Sequence, residues 1–514
     1  RQLIRQADKA GRIPCVHIED WPEFPVRGVM LDISRDRVPT METFKRLIDL
    51  WAELKFNQVQ LYTEHTFAYT SHKTVWKDAS PITPEEAEEL DRYCSDRAIE
   101  LVPNQNSFGH MERWLKHGEY SHLSDATDTF VDPWGGLRHQ PTTLNPLDPE
   151  SLHLLSGLYD ELLPHFSSNM INVGADEPFD LGQGRSREAC KERGIGRVYL
   201  EFMLKIHDEL SRRGKVMQFY GDIVLHHPEL IQELPRDVIA LNWGYEADHP
   251  FQKESRMFAE AGLQFYVCPG TAAWNSIGGR WNNARENILS AAQEGRSAGA
   301  SGFLLTDWGD NGHWQQLPVS YPAYLFSAAV SWNPEGGQKI DVEACLSRHI
   351  FRDDTGKAAQ ALLILENLYD NGIVRFHNAG TLAVLLLLEL QQYHQEELKR
   401  LRGYDFSREQ AGIAEVLSLL KTADIRAEDA DLLYKELTFT ADLMAHAAHL
   451  GNKRFATAGL VTAEIPSSVR KTLAAELEAL IEVFEKLWLS RSRPGGLKDS
   501  TGRMIALKES YLRG

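Results

Sequence analysis

Between residues 26 and 309 short apolar runs recur, each separated from the next by enough chain for one helix. They are VRGVMLDIS (26–34), QVQLYT (58–63), IELVPNQ (99–105), MINVGA (170–175), KVMQFYGD (215–222), VIALNWGY (238–245), QFYVCPG (264–270) and GFLLTDWG (302–309). Runs of this length, rich in β-branched and aromatic residues, predict strands. The intervening segments place apolar residues at helical spacing. METFKRLIDLWAELK (41–55) has Thr40 before it as an N-cap, and PEEAEELDRYCSDRA (84–98) carries Pro84 in its first turn. Eight strands, each followed by a helix, predict a (β/α)8 TIM barrel. An open doubly wound sheet is the other arrangement. Its only support is a lone GxG at 182–184, which a surface loop explains as well.

From about residue 340 the pattern changes to long helical periodicity rich in Leu, Ala and Glu. The expected organisation is the end of an N-terminal element or linker over 1–24, a catalytic barrel over 25–335 and an α-helical C-terminal domain over 336–514. The most apolar stretch, LAVLLLLEL (382–390), is too short to span a membrane and reads as a buried helix. A helical tail of this kind often mediates dimers, so a homodimer is a further expectation.

The 514 residues carry a net charge of −18, which argues against a nucleic-acid partner because phosphates demand a basic face. Five cysteines at 15, 94, 190, 268 and 345 form no CxxC pair, so neither a zinc site nor a disulfide framework follows. Reduced thiols fit a cytoplasmic location. No signal peptide is evident in a sequence that begins at Arg1.

In a barrel, catalytic groups gather where the strands end. The predicted strands end in Asp32, Ser34 and Arg35; Glu64 and His65; Asn104, Gln105, Asn106 and then His110; Asp176 and Glu177; Tyr220 and Asp222; Trp243 and Tyr245; Trp274 and Asn275; and Asp307, Trp308 and Asp310. Carboxylates, an arginine and several indoles suit a sugar, whose ring C–H faces stack on aromatics while its hydroxyls take polar groups. No spacing matches a P-loop or a metal cage, so neither a cofactor nor a metal is expected. Blander roles compete at each position. Asp32 lies within its strand and reads as structural. Arg35 could form a surface ion pair, the tryptophans could be core, and His65 and His110 could be loop histidines. The pair His226-His227 reads as solvated surface, since adjacent helical residues diverge. Asp176-Glu177 differs from an ordinary solvated acid pair, because it follows a buried-strand run and precedes Pro178.

RGVMLDISR (27–35), KFNQVQLYTEHTF (55–67), NSFGHMERWL (106–115) and VGADEP (173–178) together resemble glycoside hydrolase family 20, the β-N-acetylhexosaminidases. YTEHTFAY (62–69) is similar to the branch that includes hexosaminidase D. The resemblance covers most of residues 20–333. It implies that Arg35 binds the ring hydroxyls of the non-reducing sugar and that Glu64 is an acid near the site. It also implies that His110 is the histidine of the family's GH motif, that Trp243 and Trp308 are aromatic walls and that Asp310 binds outer hydroxyls. Asp176 and Glu177 become the catalytic pair of a retaining, substrate-assisted reaction. Glu177 would be the general acid and base, and Asp176 would orient the 2-acetamido group.

Two segments depart from the family pattern. After strand seven the family places a tyrosine two residues before an aspartate, and that tyrosine holds the acetamido oxygen; here the segment is CPGTAAWNS (268–276). Trp274, Asn275 or Tyr245 could take that role. Phe219-Tyr220 replaces a tryptophan near the end of strand five. These departures keep open a glycosidase for another 2-substituted hexosamine (a free amine, a sulfated or another N-acyl form). A carbohydrate-binding barrel without catalysis is the remaining alternative.

Overall fold

The computed structural model describes residues 11–13, 15–133, 136–387, 395–455 and 462–513. Eight strands form one parallel sheet: β1 (Val26–Asp32), β2 (Gln58–Tyr62), β3 (Glu100–Val102), β4 (Met170–Asn172), β5 (Val216–Tyr220), β6 (Ile239–Trp243), β7 (Gln264–Cys268) and β8 (Gly302–Asp307). Each pairs with its sequence neighbour, apart from β3 and β4, and β1 pairs with β8, Val26 opposite Gly302. The remaining gap is closed by a parallel bridge between Asn104 and Asn172, across which Gln105 N donates to Asn172 O at 3.0 Å. The result is the expected (β/α)8 barrel. All eight strands lie where the apolar runs predict them, but most end two or three residues early, because the chain bends away where its polar residues begin.

Alternation along each strand separates an outer layer from the barrel interior. Val29 and Leu31 pack outward against the helices, whereas Met30 faces in with Tyr62, Tyr220, Leu241, Tyr266, Leu304 and Trp308. In QVQLY the glutamines take the inner face. Gln60 donates to Gln218 Oε1 at 2.7 Å and accepts from Asn172 Nδ2 at 2.9 Å, so these buried amides satisfy one another.

The helices around the sheet include α1 (Met41–Glu53), α2 (Pro84–Ser95), α3 (Pro149–Leu162), α4 (Ile195–Arg212), α5 (Phe251–Glu260), α6 (Trp281–Ala298) and α7 (Tyr321–Trp332). Thr40 caps α1 by accepting from Thr43 N. Thr83 and Glu86 form a capping box ahead of Pro84 in α2. The chain continues through α8 (Lys357–Asn367), α9 (Ser407–Leu420), α10 (Ala430–Phe455), α11 (Ser467–Arg491) and α12 (Leu497–Arg513). Of the stretch 382–390, residues 382–387 lie in the buried helix Thr381–Leu387, and 388–390 lie outside the described residues. Of the element expected over 1–24, residues 1–10 and 14 lie outside them too. Residues 15–24 run without helix or strand, and Glu23 N donates to Trp332 O at 2.8 Å. Among the described residues no helix is long and apolar enough to cross a membrane. Gly182 and Gly184 sit in a loop after β4, where a side chain on Gly184 would meet the Asp125 carbonyl at 1.9 Å. His226 is exposed, and His227 is half-buried against Gly196.

Candidate active site

The turn after β4 builds the acid pair. Gly174, Ala175 and Glu177 all have positive φ, at 65°, 69° and 49°. Left-handed backbone at Ala175 and Glu177 is strained, and such strain concentrates at functional sites. Gly174 is required there, since a Cβ would lie 1.6 Å from Asn106 Oδ1. Gly109 is required on the facing loop, because its Cβ would stand 2.2 Å from the Asp176 carbonyl. That absence lets His110, itself at φ 54°, approach the acids. His110 Nε2 is 3.3 Å from Asp176 Oδ2 and 3.4 Å from Glu177 Oε2. Burial opposes charge on this imidazole, but the Asp176 carboxylate and hydrogen bonding to both acids outweigh it and hold the pKa well above the ordinary histidine value.

Asp176 is buried, its side chain 9% exposed, and its Oδ1 has no protein donor. Glu177 is half-buried. Asp222, from the end of β5, supports the pair from the other side. Its Oδ2 accepts from Glu177 N and its Oδ1 from Trp243 Nε1, both at 3.4 Å. Burial, then the charges of Asp176 and Glu177, push its carboxyl well above the usual range.

Arg35 forms the second centre. Its guanidinium lies 4.5 Å from the Tyr62 ring and 4.8 Å from the Trp308 ring, a doubly cation–π position. It reaches Glu64 at 3.5 Å, Asp32 at 3.6 Å and Asp310 at 3.7 Å, while its Nη1 lacks a hydrogen-bond acceptor. Burial pushes the Glu64 carboxyl up to about 7 and that of Asp310 up to about 6, in each case against the pull of Arg35. Asp32 has the structural part expected of it. It accepts from Ser34 N, Arg35 N and Gly309 N and so ties the end of β1 to that of β8. Tyr62 was not singled out by the sequence, yet it donates to Glu64 Oε1 at 3.1 Å. Its position two residues before Glu64, on the same strand face, is the signal that could have found it.

Aromatic groups line the remaining side. Trp243 stacks on Tyr245 with centroids 5.2 Å apart, and Tyr245 OH accepts from Trp308 Nε1 at 2.9 Å. Tyr220 is buried beneath, 6.3 Å from Trp308. The residues after β7 are placed differently. Trp274 is 0% exposed, packed edge-on to Tyr245 in the barrel interior, and offers a sugar no open face. The Asn275 side chain accepts from Asn311 Nδ2. His65 is not joined to the acids. It is buried beside Arg113, Lys116 and His117, and burial with those charges drives its pKa well below the ordinary value.

Two triads bring possible metal-ligating atoms within 4.8 Å of one another, Glu64–His110–Glu112 and His110–Asp176–Glu177. Both share His110, whose raised pKa keeps it protonated, the form that does not ligate.

A family model for the catalytic domain of glycosyl hydrolase family 20 matches residues 24–301. The chain belongs to glycoside hydrolase family 20. Among curated family 20 relatives it is similar to hexosaminidase D of Homo sapiens, 24% identical over 62% of this chain and 68% of the relative. It is similar to hexosaminidase D of Bos taurus, 28% identical over 59% of this chain and 90% of the relative. It is also similar to a β-hexosaminidase of Akkermansia muciniphila, 27% identical over 44% of this chain and 51% of the relative. The fold is shared with the family 20 exo-β-N-acetylglucosaminidase of Vibrio harveyi, solved with N-acetylglucosamine. That likeness has a TM-score of 0.51 and 18% identity over 67% of this chain and 58% of the other. Trp308 and Asp310 lie beyond the matched span and are brought to the site by β8.

Proposed function

We propose that the protein is an exo-acting, retaining β-N-acetylhexosaminidase that releases terminal N-acetylglucosamine or N-acetylgalactosamine by substrate-assisted catalysis. One observation carries this reading: Asp176 Oδ1 is a buried acceptor without a protein donor, directly beside the carboxyl of Glu177. A buried polar atom is costly unless paired, and the N–H of a 2-acetamido group is the donor it lacks. Arg35 Nη1 is the complementary unpaired donor for ring hydroxyls.

In the proposed reaction, Glu177 gives its proton to the glycosidic oxygen as the bond to the anomeric carbon breaks, and the electron pair leaves with the alcohol. The acetamido carbonyl oxygen bonds to the anomeric carbon, forming an oxazolinium ion. Asp176 accepts the N–H and offsets the developing positive charge, a contribution commonly worth about 3–4 kcal/mol. Water then adds to the anomeric carbon, returns a proton to Glu177 and displaces the acetamido oxygen, leaving the β configuration. Tyr245 is the proposed hydroxyl donor to the acetamido oxygen, standing in for the tyrosine that the segment after β7 lacks.

The test is hydrolysis of paired aryl N-acetyl-β-glucosaminide and N-acetyl-β-galactosaminide, together with inhibition by a thiazoline mimic of the intermediate. Turnover of either sugar with tight inhibition is expected. Turnover without inhibition at millimolar concentration would remove substrate assistance. The phenolic lining from Tyr220 and Tyr245 also motivates a second reading, a preference for another 2-substituent, which a panel of free-amine and longer N-acyl glycosides separates from the first.

A further inference from the structure

The loop leaving β1 places three consecutive side chains on three different partners. Arg35 enters the sugar pocket. Asp36 turns the other way, in left-handed conformation at φ 68°. Its buried carboxylate is bridged by Arg113 at 2.8 Å and by Arg503, from α12, at 2.9 Å. Arg37 lies over the Trp488 ring of α11 at 4.5 Å. The backbone that follows is also held by the tail. Thr40 N donates to Arg491 O at 3.0 Å and Arg493 N to Val38 O at 2.8 Å. Gly496 passes so close that a Cβ there would stand 1.7 Å from the Asp36 carbonyl. Arg113 joins Asp499 of α12 as well, at 2.9 Å, and lies three residues beyond His110. Ser500 donates to the Gly312 carbonyl in the loop that carries Asp310.

Resting on the reading of Arg35 as the sugar-binding arginine, we propose that Asp36 and Arg503 are positioning residues: α12 fixes the Arg35 guanidinium through Asp36, so the helical tail is a working part of the substrate site. Holding a charged side chain in its productive geometry lowers what binding must spend on ordering it. Arg35 is itself hemmed by Tyr62 and Trp308, but those rings set its plane, whereas the backbone at residues 35–36 sets its reach.

The test uses the full chain. Asp36→Asn keeps the shape and the tolerance for positive φ while removing the charge. Arg503→Met removes only the contact from the tail, and Arg503→Lys keeps a cation. KM for an aryl N-acetyl-β-glucosaminide is expected to rise about tenfold in Asp36→Asn and about fivefold in Arg503→Met, with kcat within about twofold, and to return toward the parent in Arg503→Lys. In an Arg35→Ala background Arg503→Met is expected to add nothing, since both act through one group. Arg503 is part-exposed, so that variant carries the test alone if Asp36→Asn fails to fold. An unchanged KM in Arg503→Met, or the same fold-rise with and without Arg35, overturns the inference. An unchanged KM in Arg35→Ala overturns the sugar-binding role of Arg35 itself, and the inference with it.

Discussion

The carboxylates of Asp176 and Glu177, adjacent in sequence, converge on a single nitrogen of His110, at 3.3 and 3.4 Å. The imidazolium that results is a fixed positive charge between the group that must stay ionised and the group that must deliver a proton. A neighbouring cation favours the ionised form of a carboxyl group, so removing it raises the pKa of both acids. His110→Gln should therefore move the acid and the alkaline limbs of the kcat/KM–pH profile to higher pH while lowering the plateau. A downward shift of either limb would contradict the arrangement.

Glu177→Gln should lower kcat by about 10²–10⁴-fold on glycosides with poor leaving groups, the usual worth of a positioned acid. The loss should shrink on a dinitrophenyl glycoside, whose leaving group needs no proton. Asp176→Asn should instead cost about 10²–10³-fold whichever leaving group is used, because its partner is the acetamido group. Comparing the two variants across leaving groups checks the division of roles.

Asp310 binds its proton up to about pH 6. Above that pH its carboxylate accepts hydrogen bonds from sugar hydroxyls and pairs with Arg35; below it the charge is lost. Hence kcat/KM should fall as pH drops through about 6, and Asp310→Asn should show a low value with that limb absent. A limb unchanged in Asp310→Asn would assign it to another group.

Gly109→Ala should inactivate with little loss of overall stability. The added Cβ, 2.2 Å from the Asp176 carbonyl, forces the acid-bearing turn to move. Turnover should drop at least about tenfold while thermal melting changes by only a few degrees, as for a local loop strain of about 1–2 kcal/mol. Parental kinetics would show that the two loops can separate without consequence.

The barrel was legible because each strand carries an apolar run of its own, and the acid pair because the run before it is so uniformly apolar. Legibility fails where partners are distant in sequence or where burial decides. Nothing local distinguishes Trp274, sealed in the interior, from Trp243, which is part-exposed beside Asp222. Strand ends in polar residues placed His65 with Glu64, yet alternation turns neighbouring side chains to opposite sides, and only Glu64 faces Arg35. Asp36 carries no signal at all, since its arginine partners lie 77 and 467 positions away.

That last separation has a consequence for how the protein is made. At about 5–20 residues per second, a ribosome that has just added Asp36 needs on the order of tens of seconds to reach Arg503. All eight strands are translated well before then. The nascent chain can hold a closed barrel while the loop carrying Arg35 still lacks its brace. Sugar binding should accordingly mature later than the barrel during synthesis, on a clock set by translation rather than by the closing of the sheet.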